Sequence, residues 1–445
     1  IMFLAISTVS AVATTKSNEV YAKHGMVSSA HKLASEAGVE IMKKGGNAVD
    51  AAVATSLALS VVEGHFTGIG GGGFMTIRDA ESGEVIFLDY REMAPAASTR
   101  DMYASEKAKT EKWKSIGGMS AAVPGWVAGM FYALDKYGTM SFADVATPAI
   151  RIAEEGWVVE PNQAKWYAEM SLPLVDYYKI EDLPFFNGDL PYQTGEHIVR
   201  NDLAKTYKLL AEKGPDVFYS GEIGEAFVKE VNRLGGIMTM EDLKNYELKV
   251  RKPIEGTYRG YKIFSSPPSS SGGTHIVQAL NIIENFPLDQ WTPDSFERQH
   301  VTAEALRLAF ADREKYMADS DFVEVPLRGL ANKDYAKKLA QQIKIDSTLS
   351  IIEPGDPWEY ENQKVAYFAG PNGLGSGTTH FSVADADGNI VACTNTHNYA
   401  AGFVPKYGIV INNEMDDFSE DPKSVNAPEP GKRPLSSMAP TIILT

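Results

Sequence analysis

The chain has one cysteine, Cys393, among 445 residues. That excludes an intrachain disulfide framework and any multi-cysteine metal site. Basic residues are also in deficit: 42 Lys+Arg face 58 Asp+Glu, a formal net charge of −16. Non-specific binding to nucleic acid or to an anionic membrane needs basic surface, so neither partner is expected. His65, His275, His300, His380 and His397 are scattered, with no HExxH-type spacing on one helix, which argues against a zinc site of that kind. There is no GxSxG elbow to support a serine triad, no fixed-period repeat and no heptad run. The remainder, 44% hydrophobic and 22% charged, is the composition of a folded globular chain.

The first thirteen residues, IMFLAISTVSAVA, carry no charge and end in an A-x-A pattern. They read as the remnant of a secretory signal and are too short to span a bilayer. Export to a periplasm or to the outside is therefore expected. At the other end TIILT is an apolar β-branched run with no turn after it, and the chain is expected to continue. Between them, helical spacing predicts helices over about 30–44, 47–63, 124–137, 141–155, 201–213, 221–234 and 294–317, and another after SSPPSSSGG at 265–273. Asn47 reads as the N-cap of the second of these. FMTIRD and VIFLDYRE predict a hairpin ending near Arg91, and TTHFSVADADGNIVACTNT a second one over 378–385 and 390–397. Residues 353–377, rich in Gly, Pro and polar residues, read as a linker. Helix-rich segments followed by late strands fit an α+β, layered αββα architecture better than a doubly wound sheet.

The run Gly68-Ile69-Gly70-Gly71-Gly72-Gly73 superficially matches a dinucleotide fingerprint. That motif must follow a strand and open a helix; here a helix precedes and a strand follows, and there is no Walker lysine. A tight backbone passage is the better reading. The linker-to-strand junction carries more chemistry. Thr378 is read either as an ordinary strand start or, if Gly377–Thr378 is cut, as a hydroxyl beside its own free α-amine. Such an amine has a reference pKa near 8 and is suited to general-base work, and a threonine paired with it is an activated nucleophile. A turn centred between Asp387 and Gly388 would set Thr378 opposite His397, with Thr396 and Asn398 adjacent, so a small register shift is needed to bring Thr396 to the nucleophile.

The motifs GGNAVDAAVA (45–54), GIGGGGFM (68–75), DYREMAP (89–95), PPSSSGG (267–273), TTHFSVADADGN (378–389), NNEMDDFS (412–419) and GKRPLSSMAPT (431–441) resemble, in order, those of the γ-glutamyltransferase (γ-glutamyltranspeptidase) family of N-terminal-nucleophile hydrolases. The resemblance covers nearly the whole chain. It implies a four-layer αββα sandwich made as a precursor and self-cleaved at Gly377–Thr378. The parts would be a signal remnant (1–13), a large subunit (14–377) and a small subunit (378–445) that remain partners. By motif position Thr378 corresponds to the nucleophile and Thr396 to the threonine that hydrogen-bonds it. Arg91 corresponds to the arginine that holds the substrate α-carboxylate, assisted by Ser436 and Ser437. Asn398, Glu414 and Asp417 correspond to the group that reads the α-amino end. Read singly, Arg91 is equally a structural ion pair, Asp416-Asp417 a cap or turn, and Ser436-Ser437 turn residues. The implied activity is hydrolysis and transfer of the γ-glutamyl group of glutathione-like donors to water, amino acids or peptides, with no metal or organic cofactor. Alternatives on the same scaffold are a poly-γ-glutamate depolymerase, a cephalosporin-type acylase, or a non-processing homologue that only binds γ-glutamyl compounds. Three departures stand out. The family's glycine pair, the oxyanion-hole donors, is not found between Ser437 and Thr445. Only residues 418–435 separate Asp417 from Ser436, where relatives carry a longer aromatic-gated lid, so an open acceptor side is expected. Asn398-Tyr399-Ala400-Ala401-Gly402 replaces a glycine-rich aromatic loop.

Overall fold

Asn47 starts the helix around which the fold is organised. Its side chain accepts from Val49 N and Asp50 N while Asp50 Oδ2 accepts from Asn47 N at 2.8 Å, a reciprocal capping box. The computed structural model describes residues 20–361 and 377–445. The elements that position the site are β1 (Gly25–Ser28), α1 (Lys32–Lys43), α2 (Ala48–Val62), β2 (Gly72–Arg78), β3 (Val85–Asp89), β4 (Lys249–Arg251), β5 (Ile254–Tyr258), β6 (Tyr261–Ser265), α3 (Gly272–Ile283), α4 (Phe296–Tyr316), β7 (Thr378–Asp385), β8 (Ile390–Thr396), β9 (Ala400–Val404), β10 (Ile409–Asn412) and β11 (Ile442–Leu444). The remaining predicted helices form at 126–137, 142–155, 201–213 and 222–233. The expected signal remnant, and most of the expected linker, lie outside the described residues.

Six strands make an antiparallel sheet in the order β1-β7-β8-β2-β3-β4, and three make a second, β11-β6-β5. Every residue of α2 is buried, and its small and aliphatic side chains pack beneath β7 and β8 with Met75, Ile77, Phe381, Val383, Val391 and Cys393. The opposite face of the large sheet meets the small one: Phe74 and Phe87 pack with Met438, and Thr76 Oγ1 donates to Pro440 O at 2.7 Å. α3 covers the far side of the small sheet through Val277 against Ile254 and Ile263, with α4 beside it. These are four layers, helix-sheet-sheet-helix, as expected.

The strand period of two sets the chemistry. Along β7, Thr379, Phe381 and Val383 point to the helices; Thr379 Oγ1 donates to Glu63 Oε2 at 2.7 Å. Thr378, His380 and Ser382 therefore point the other way. β1 pairs only with residues 382–385, so the first half of β7 is laddered to β8 alone among the described residues.

The glycine run is the tight passage expected. A Cβ on Gly70 would lie 2.0 Å from Val410 O, and one on Gly71 2.2 Å from Thr396 O. A helix precedes it and β2 follows, so the geometry of a dinucleotide loop is absent. The hairpin register is corrected by one residue: Thr378 pairs with Thr396, not with His397. The turn is a three-residue loop, closed by Asp385 N to Asn389 O at 3.1 Å and Gly388 N to Asp385 O at 3.4 Å, with Gly388 at φ +90°. Asp385 Oδ1 accepts from Asp387 N and Asn389 N, which centres the turn on Asp387.

Candidate active site

The corrected register puts two threonines side by side on one face. Thr378 is exposed at the head of β7, and Thr396 is buried at the end of β8. The Thr396 hydroxyl donates to Gly377 O at 2.9 Å and accepts from Asn398 N at 2.7 Å. Because Asn398 N–H can only donate, the one Thr396 proton is left for an acceptor; Gly377 O, the carbonyl that precedes Thr378, stands at hydrogen-bond distance, with the Glu414 carboxyl also in reach. Asn398 reaches that position at φ +57°, a left-handed conformation that asparagine tolerates well. Gly377 has φ +115°, and a Cβ there would stand 2.0 Å from Asn398 O, so glycine alone fits. In the described geometry Thr396 thus reaches the Gly377 carbonyl rather than the Thr378 hydroxyl.

The charged wall comes from two segments. Arg91 follows β3, held by its own N–H to Asp89 Oδ1 and by Nε to Pro434 O at 3.3 Å. Glu414–Asp417 form a single 3-10 turn after β10. Asn412 fixes that turn: its Nδ2 donates to Gly70 O and Ala122 O, and its Oδ1 accepts from Ala122 N and Glu414 N. Arg91 is fully buried, with Nη1 2.7 Å from Glu414 Oε2 and Nη2 2.5 Å from Asp417 Oδ2. Glu92 Oε2 stands 3.6 Å from the same Nη1. One guanidinium therefore serves three carboxylates, and Asp417 Oδ1 and both Glu92 oxygens have no hydrogen-bond donor among the described residues. Burial pushes Glu414 up to about 7 against the pull of Arg91, with the charge of Asp417 adding to the rise. Glu92 is raised well above the usual carboxylate range by burial and then by Glu414. Burial alone would lower Arg91, but Glu414, Asp417 and Glu92 outweigh it and keep the guanidinium charged. Arg91 thus sits in an excess of carboxylate, which favours an incoming ammonium.

The serine pair is carried by the seam between two motifs. Ser436 N donates to Ser269 O at 3.0 Å, and Ser271 N and Oγ both donate to Ser436 O. Ser270 Oγ and Ser266 Oγ converge on Met438 O. Asn426 joins this seam to the acidic turn, donating to Asp417 O and accepting from Leu435 N.

A cavity of about 330 Å³ collects Arg91, Thr378, Thr396, Asn398, Glu414, Asp417, Ser436 and Ser437. Every expected site residue lines it except Gly377, which adjoins through the Thr396 bond. Four further lining residues, Phe310, Thr394, Leu435 and Met438, were not anticipated. Thr394 was legible as the same-face neighbour of Thr396, two residues back along a strand; Phe310, on the distant α4, left no local signal. Of residues 418–435 only Leu435 is among the lining residues, and Arg100 ties that stretch down through Pro422 O, Ser424 O and Glu429. Among the described residues no group of His, Cys, Asp and Glu is arranged to hold a metal ion, and no helix is long and apolar enough to cross a membrane. His397 is buried and neutral, pushed down to about 4 by burial, with Nε2 on Gly64 O at 3.0 Å.

A helix-sheet-sheet-helix sandwich with a threonine heading a central strand, at the mouth of a polar cavity, is the architecture of the N-terminal-nucleophile hydrolases. Comparison with known proteins narrows this class. The family model described as Gamma-glutamyltranspeptidase matches residues 34–445. A glutathione hydrolase proenzyme of Escherichia coli (strain K12) is 43% identical over 444 residues, covering 96% of this chain and 74% of that protein. The crystal structure of cephalosporin acylase from Bacillus halodurans superposes with a TM-score of 0.85 at 30% identity, over 100% of this chain and 79% of that one. That of Helicobacter pylori gamma-glutamyltranspeptidase gives 0.73 at 42% identity, over 78% of this chain and 100% of that one. The chain belongs to the gamma-glutamyltranspeptidase family.

Proposed function

We propose that this protein is a self-processing γ-glutamyl hydrolase and transpeptidase that acts on glutathione and related γ-glutamyl amides. The observation that carries the reading is the Thr396 hydroxyl aimed at Gly377 O, next to Thr378, at one end of a cavity whose other wall holds Arg91, Glu414, Asp417 and the serine pair. In the precursor Thr378 Oγ attacks the Gly377 carbonyl carbon while the Thr396 proton stabilises the developing oxyanion. The C–N bond breaks, the Thr378 nitrogen takes a proton, and water opens the resulting ester. The products are a large subunit ending at Gly377 and a small subunit beginning at Thr378, which stay paired through the β7–β1 and β8–β2 ladders.

In turnover the donor's zwitterionic end divides the charged wall. Its α-ammonium meets Glu414 and Asp417, with Asn398 beside them, and its α-carboxylate meets Arg91 and the hydroxyls of Ser436 and Ser437. That places the γ-carbonyl before Thr378 Oγ. The free Thr378 amine takes the hydroxyl proton and passes it to the leaving amine, giving a γ-glutamyl ester. Water, or the amine of an amino acid or peptide, then resolves the ester. Of residues 418–435 only Leu435 lines the cavity, which supports an open acceptor side. The uncharged segment at 1–13 supports export to a periplasm or the exterior.

Denaturing electrophoresis with N-terminal sequencing, followed by assay on a γ-glutamyl-anilide with and without a dipeptide acceptor, tests the reading. Two bands, the smaller beginning at Thr378, and acceptor-stimulated release of the anilide are expected. A Thr378→Ala variant should remain one band with no turnover. An uncut wild-type band, or turnover that survives Thr378→Ala, would overturn the mechanism.

A further inference from the structure

Arg313 lies on α4, is only 1% exposed, and is not among the cavity's lining residues, yet it reaches both segments that build the serine wall. Its Nε donates to Ser271 Oγ at 3.1 Å and its Nη2 to Ser437 Oγ at 3.4 Å, while Nη1 turns outward to Glu314 Oε1 at 2.8 Å. A guanidinium only donates, so both serine oxygens must accept from it, and each hydroxyl proton is directed elsewhere. For Ser271 the destination is visible: its Oγ donates to Ser436 O at 2.8 Å. For Ser437, a cavity-lining residue, no acceptor among the described residues takes the proton, which leaves it available to a ligand in the cavity.

The charge matters as well as the geometry. Arg91 is engaged by Glu414 and Asp417, so its guanidinium does little to make the serine end of the cavity positive. Arg313 does, because its one carboxylate partner among the described residues, Glu314, is 37% exposed and so solvent-screened. Phe310 has its ring 5.9 Å from the guanidinium carbon, and His275 stacks on Phe310 and is held neutral by burial and by the charge of Arg313. Neither cancels the charge.

We propose that Arg313 is the positioning residue of the carboxylate subsite: it sets the Ser437 hydroxyl as a donor into the cavity and supplies the second cation that an α-carboxylate senses there. The inference rests on the γ-glutamyl reading and deepens it by naming what makes the serine wall anion-selective.

Calorimetric binding of L-glutamate and of its α-carboxamide to the processed protein separates this role from a structural one. Arg313→Met should weaken glutamate binding by roughly 10–100-fold, the range of a lost charge-assisted hydrogen bond, and leave the α-carboxamide within about twofold. Arg313→Lys, which keeps the charge but cannot bridge both serines, should fall between. In turnover the loss should appear in KM, with kcat within about threefold. Equal losses for the two ligands, or no loss for glutamate, would overturn the proposal. Wild-type protein that binds glutamate without releasing anilide would sink the proposed reaction while leaving the ligand comparison to judge Arg313. Wild-type protein that binds neither ligand overturns both.

Discussion

Thr396→Val is the sharpest probe of self-cleavage. Valine is close to isosteric with threonine but offers neither the proton that reaches Gly377 O at 2.9 Å nor the oxygen that accepts from Asn398 N at 2.7 Å. Removing one oxyanion donor typically lowers a rate by about 10²–10³. The stranded Asn398 N–H should also cost about 1–3 kcal/mol of stability, because that residue is buried. The two effects are separable. Processing is unimolecular, so the precursor purified soon after expression can be incubated well below its melting temperature and sampled on denaturing gels. The decay of the uncut band gives a first-order constant, and thermal unfolding gives the stability loss independently. Thr396→Val should process about 10²–10³-fold more slowly, whereas Thr396→Ser, which keeps the hydroxyl, should stay within about tenfold of wild type. A Thr396→Val precursor that cuts within about threefold of wild type would refute the claim that this hydroxyl stabilises the cleavage transition state. So would a Thr396→Ser precursor as slow as the valine variant.

Two other outcomes follow from the site. Gly377→Ala should yield a folded, largely uncut precursor, because its Cβ would meet Asn398 O at 2.0 Å in a backbone at φ +115°; mass spectrometry showing processing at the wild-type rate would remove that constraint from the argument. Glu414 gives a pH signature. Its carboxyl is raised from 4.5 to about 7 in the folded protein, so its contribution to stability is present at low pH and is lost as pH rises through about 7. Binding an ammonium needs the ionised form, so KM for a γ-glutamyl donor should fall about tenfold between about pH 6 and 8, with a proton released on binding. Glu414→Gln should flatten that dependence, and an unchanged slope in a KM–pH series would assign the titration to another group.

Much of the layered fold was legible because its elements advertise themselves locally. The helical spacing of residues 30–63, the Asn47 cap and the two hairpins all appear close to where their patterns put them. The short strands at 249–251, 254–258 and 261–265 were not read, since they gain their place by pairing with distant partners rather than from their own alternation. The hairpin register missed by one residue for a local reason: Asp385 accepts two loop N–H groups and makes the loop three residues long.

The sequence by itself determined the chemistry available: a threonine after a glycine, an arginine, two carboxylates and a serine pair, in an order that marks the family. Each was ambiguous alone, because one side chain says nothing about its neighbours in space. Tertiary structure decided what they do to one another. It aims the Thr396 proton at Gly377 O, through an acceptor demand set by Asn398. It surrounds Arg91 with three carboxylates, which no spacing in the sequence announces. It brings Phe310 and Arg313 from α4 to Ser436 and Ser437, more than a hundred positions away. Donor direction, burial and charge sharing are properties of contacts between segments, and those contacts exist only once the four layers have closed.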